Sequence, residues 1–162
     1  VSESICDAEV VIACCGNPLF GDNGFATSLV PVLKQKLNGA TRLKVVDFGR
    51  GYFLFGILEC KKLVLVDSID FGGAPGELKK LSIDDVDENR YADHQGWQTS
   101  MPLNDLKERC DVTIIACQPK SCKQIEFGLT EEVSGSIPKA IELIQKEVED
   151  FYEPVLEERE KI

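Results

Sequence analysis

Ala8-Glu-Val-Val-Ile-Ala-Cys-Cys15 is a short apolar run that stops at Gly16-Asn17-Pro18, and its reading decides the fold. A run of this length closed by turn residues predicts a buried strand, not a helix. Beyond the loop Gly16-Asn-Pro-Leu-Phe-Gly-Asp-Asn-Gly24, Asp22 or Asn23 can cap a helix running to about Lys36. Phe25, Leu29, Val32, Leu33 and Leu37 recur along it at helical spacing, and Asn38-Gly39 stops it.

The same alternation continues. Residues 42–48 read as a second strand ending near Asp47, and Gly49-Arg50-Gly51 turns the chain into a helix over 52–60. Residues 63–66 form a third, very apolar strand that ends at Asp67. Residues 77–81 predict a short edge strand, blunted by Lys79 and Lys80. A long polar loop follows over 84–97, then a helix over 102–109 and an apolar strand over 111–117. The last helix is expected over 129–152, with Pro138 near its first turn or splitting it, and a charged tail from about 153. Strands alternating with helices imply an α/β domain over 1–162, a mostly parallel sheet with helices on both faces. In such sheets a site lies beyond the carboxyl ends of the strands. With strand order 2-1-3, Asn23 and Asp67 converge there and the long loop can bring His94 over them.

Composition narrows the function. The chain has 162 residues, 43% of them hydrophobic, a net charge of -10 and a pI near 4.6. That balance disfavours nucleic acid and anionic membrane surfaces as partners, since both select basic faces. No apolar run approaches the roughly 20 residues of a membrane span. The polar opening, with Glu3 and Asp7, does not read as a signal peptide. Seven cysteines without a C-x-x-C pair predict free thiols in a reducing cytoplasm.

His94 is the single histidine, in Tyr91-Ala-Asp-His-Gln-Gly-Trp97. Alone it could be a hydrogen-bonded loop histidine or the partner of a cysteine nucleophile. With strand-end oxygen donors it suggests a mixed nitrogen–oxygen site for nickel, zinc or a similar ion. Asp67 closes a strand of Val64, Leu65 and Val66, where a carboxylate suffers desolvation unless paired or metal-bound. Asp22 reads as a helix cap or as part of the site. The Gly16–Gly24 loop lacks the lysine and glycine spacing of a phosphate loop.

At these residues the sequence resembles the nickel–iron hydrogenase maturation endopeptidases. Gly16-Asn17 through Asp22-Asn23-Gly24-Phe25 is similar to the family's opening motif. Val46-Asp47-Phe48-Gly49, Leu65-Val-Asp67-Ser-Ile-Asp70 with Pro75-Gly76, His94-Gln95-Gly96 and Phe127-Gly128-Leu129-Thr130 follow in the family's order, spanning about residues 9 to 150. The resemblance implies a three-layer sandwich around a five-stranded, mostly parallel twisted sheet. It implies removal of a C-terminal extension from a hydrogenase large-subunit precursor after nickel insertion. The metal-contacting positions map to Asn23, Asp67 and His94; Asp67 and His94 are also expected to be catalytic, with Asp22 or Asp47 as general base. The nickel arrives on the substrate, and other divalent ions can substitute for it in vitro. The family carries a carboxylate where this chain has Asn23. The Gln95-Gly96-Trp97 variant is similar to the deazaflavin-reducing hydrogenase branch of methanogenic archaea. Competing readings are a non-catalytic maturation chaperone on the same fold, and a small-molecule hydrolase or flavodoxin-like nucleotide binder.

Overall fold

A computed structural model describes residues 8–37, 39–40, 42–49, 58–86 and 103–160. Five strands form one sheet: β1 (Val10–Cys15), β2 (Leu43–Gly49), β3 (Lys62–Ser68), β4 (Leu78–Leu81) and β5 (Asp111–Cys117), in the order β2-β1-β3-β5-β4. β1 runs parallel to both β2 and β3, and β3 parallel to β5, while β4 returns antiparallel along β5 at the edge. The helices are α1 (Phe25–Lys36), α2 (Leu103–Arg109), α3 (Glu131–Gly135) and α4 (Ile137–Glu160).

Every residue of β1 and β3 is buried, as parallel strands covered on both faces require. Side chains alternate across the sheet, so one strand feeds two cores. Val10, Ile12 and Cys14 pack with Phe25, Leu29 and Leu33 of α1 and with Ile144 and Val148 of α4. Val11, Ala13 and Cys15 pack on the other face with Leu58, Ile83 and Leu106 of α2. No helix among the described residues is long and apolar enough to cross a membrane.

Three local expectations are corrected. Neither Asp22 nor Asn23 caps α1: a 3-10 turn (Gly21–Gly24) leads into it, and Gly24 stands at the cap position with no side-chain bond. The last helix is broken at Ser136, and its second part continues beyond the expected end at Tyr152 to Glu160, through Pro154. The helix expected over 52–60 falls mostly outside the described residues, and residues 58–60 are not helical.

At the amino ends of the strands, Lys62 is buried. Its ammonium donates to Asp111 at 2.9 Å and Thr113 at 2.7 Å, and it pairs with Glu147 of α4 at 3.4 Å. Lys80 of β4 reaches the same Glu147 carboxylate. Everything described below lies at the opposite, carboxyl end.

Candidate active site

The crevice between β1 and β3 opens where β1 turns away at Gly16. Gly16 adopts φ +139°, and a side-chain carbon there would fall 2.0 Å from the carbonyl oxygen of Asn23. Only glycine lets the chain fold back this tightly. Gly16→Ala is expected to cost on the order of 3 kcal/mol by adding strain and a backbone clash. Urea unfolding measures this, and an unchanged midpoint would mean the turn relaxes without cost.

The fold-back sets Asn23. Its side-chain oxygen accepts the Asn17 N–H at 2.5 Å, and its amide nitrogen donates to Ser68 Oγ at 3.3 Å. Residues 45 positions apart are thus joined across the crevice, and Ser68 is the immediate neighbour of Asp67. Asp67 is 2% exposed, and its Oδ1 accepts the Ser68 N–H at 2.8 Å. Asn23 is therefore tied to the residue next to Asp67 at the carboxyl end of β3, where successive side chains turn to opposite faces of the sheet. An amide oxygen carries two lone pairs, so the bond from Asn17 leaves Asn23 a second one for a cation.

Asp22 does something different. It is fully buried, and its Oδ2 accepts the N–H groups of Lys120 at 2.8 Å and Ser121 at 2.9 Å. Its Oδ1 accepts the Thr130 N–H at 2.8 Å, and the Thr130 hydroxyl lies 2.9 Å from both carboxylate oxygens. Burial alone would push this carboxyl up, but the donors of Ser121, Thr130 and Lys120 hold it below the usual carboxylate range. The geometry is that of a clasp tying the turn that carries Asn23 to the loop after β5. Asp47 is exposed at the end of β2, where its carboxylate accepts the Gly49 N–H at 3.1 Å.

Sequence reasoning passed over Gln118. It is buried at the end of β5, and its oxygen accepts the N–H groups of Phe71 at 2.9 Å and Gly73 at 3.1 Å while its nitrogen donates to Asp70 at 2.9 Å. This holds the loop after Asp67 in place. Beside it, a cleft of about 340 Å³ opens between Asp70 and residues 119–124. Its one sequence signal was position: a polar residue directly after a fully apolar strand.

The buried thiols are poor nucleophiles. Burial, with Asp47 and Asp67 nearby, pushes Cys14 up to about 12, and burial, with Asp67, pushes Cys15 well above its ordinary value. Both stay protonated at neutral pH, which disfavours them as cysteine nucleophiles. His94 lies outside the described residues. Among the described residues, no three His, Cys, Asp or Glu side chains are grouped to hold a metal ion.

The comparisons with known proteins agree with this architecture. The chain is 34% identical over 151 residues to the coenzyme F420 hydrogenase subunit delta of Methanothermobacter thermautotrophicus, covering 88% of this chain and 96% of that protein. It is 36% identical over 149 residues to a putative hydrogenase maturation protease of Methanocaldococcus jannaschii, covering 86% and 96%. Among solved structures, the fold matches the hydrogenase maturating endopeptidase HybD from Escherichia coli with a TM-score of 0.70 at 20% identity, over 88% of this chain and 93% of that one. The HycI protease from Thermococcus kodakarensis matches with a TM-score of 0.69 at 23% identity, over 86% and 91%. A family model described as hydrogenase maturation protease matches residues 27–147. With that span of the chain matched and two relatives above 30% identity along nearly their whole length, this chain belongs to the hydrogenase maturation proteases, a family of endopeptidases.

Proposed function

We propose that this endopeptidase removes the C-terminal extension from the large-subunit precursor of a nickel–iron hydrogenase, and that it recognises nickel already bound to that precursor. Asn23, Asp67 and His94 supply the oxygen and nitrogen donors that meet the ion. The observation that carries the reading is the Asn23–Ser68 bond, which ties the amide to the residue next to Asp67 at the carboxyl end of β3. Two oxygen donors and one imidazole are too few for a closed metal cage and suit an ion that arrives with ligands of its own. The likeness to a coenzyme F420 hydrogenase subunit supports a deazaflavin-reducing hydrogenase as the substrate. The free thiols among the described residues support action in a reducing cytoplasm.

Asp22 is left out of the chemistry, because both of its oxygens are taken up by donors of the 120–130 segment. The test is incubation with nickel-loaded and nickel-free precursor, reading the C-terminal mass. Loss of the extension from the loaded form alone is expected. Equal cleavage of both forms would remove nickel recognition from the account, and binding without cleavage would favour the chaperone reading.

Position 23 gives a second check. An aspartate there can accept from both the Asn17 N–H and the Ser68 hydroxyl, so Asn23→Asp should fold normally. The added charge should tighten binding of a free divalent ion such as cadmium by about tenfold. Calorimetry showing no gain would mean that position 23 does not face the ion.

A further inference from the structure

The described residues include three large apolar side chains that stand exposed: Leu19 at 48%, Ile125 at 72% and Phe127 at 80%. They come from two short segments that pair with each other. Phe20 and Glu126 form an isolated parallel bridge, in which the Glu126 N–H donates to Leu19 at 3.0 Å and the Gly21 N–H donates to Glu126 at 2.7 Å. Glu126 therefore spends both backbone groups inward. In a parallel pairing the flanking residues turn theirs the other way. Among the described residues, the N–H and C=O groups of Ile125 and Phe127 have no hydrogen-bond partner. Alternation about Glu126 puts Ile125 and Phe127 on one face of this edge, and Leu19, in the turn that the Phe20 N–H closes on Asn17, borders the bridge.

An exposed edge of this kind, two donors and two acceptors in extended register under an apolar face, matches the backbone of another extended chain. A three-residue edge is far below the roughly 1,200 Å² that a stable dimer interface needs. It is instead continuous with the active crevice: Gly21, bonded to Glu126, is two residues from Asn23, a span of at most about 7 Å. A peptidase must hold its substrate as a polypeptide close to the reacting bond. We infer that an extended segment of the precursor's C-terminal region adds as a strand to the 125–127 edge, its apolar side chains covering Leu19, Ile125 and Phe127, and so is led to Asn23 and Asp67. This inference rests on the peptidase function proposed above and adds the mode of docking.

The test replaces Ile125 and Phe127 together by serine, a neutral change at exposed positions that leaves the crevice intact. Binding and processing of nickel-loaded precursor are measured for wild type and for Ile125→Ser/Phe127→Ser, with melting temperature as the folding control. The inference expects KM and Kd to rise at least tenfold, with kcat within about twofold and an unchanged melting temperature. Unchanged KM and Kd in the folded variant would overturn it. Wild type that binds but does not cleave, with binding lost in the variant, would overturn the peptidase reading and keep the docking edge. A wild-type dimer that the variant abolishes, with precursor binding unaffected, would give the edge to a second copy and overturn the inference.

Discussion

Asp67→Asn is expected to lower kcat/KM for nickel-loaded precursor by more than about 100-fold, the scale reached when groups supporting a metal site are lost. The amide keeps the size of the carboxylate and can still accept the Ser68 N–H, so the strand end should hold its shape. What disappears is the negative charge at the mouth of the crevice. A spectroscopic readout separates loss of charge from loss of fold. The Cys14 thiol is raised to about 12 by burial, then by Asp47, then by Asp67. Removing the Asp67 charge should lower that value, and circular dichroism with the melting temperature at neutral pH records whether the fold is kept. Processing at wild-type speed by a folded Asp67→Asn protein would detach this residue from the reaction.

The second large effect concerns stability. Asp22→Asn puts an amide NH₂ where the Lys120 and Ser121 N–H groups, or the Thr130 N–H, now find an acceptor. A buried donor facing donors is unsatisfied on both sides, and the loss should be about 3–5 kcal/mol. Since the native carboxyl is held below its ordinary range, its contribution is complete above the unfolded value near pH ~4. It is lost as pH falls through the lower native value. Wild type should therefore weaken on acidification through that window, and Asp22→Asn should lack this part of the slope. Equal urea midpoints for the two proteins at pH 7 would show that the clasp contributes nothing.

What the sequence made legible was local. Each apolar run became a strand because parallel strands buried on both faces need such runs, and strand order 2-1-3 set β1 beside β3 as expected. The role of Asp22 was not legible, because three of its four donors are backbone N–H groups roughly a hundred positions away, and any residue type supplies those. The extent of the last helix was misread because Pro154 argues locally for a stop, while the helix formers around it carry the turn onward. The grouping of Leu19, Ile125 and Phe127 has no local signal, because only the Phe20–Glu126 bridge brings their two segments together.

The buried Lys62–Glu147 pair lies at the pole of the sheet farthest from Asn23 and Asp67. Such charges orient a helix more than they strengthen it, and hydrocarbon of equal volume often packs there at no loss. That pole is therefore the natural place to engineer heat tolerance into this enzyme: the foundations can be rebuilt in oil while the opposite end keeps its turn at Gly16 and its polar groups at Asn23 and Asp67.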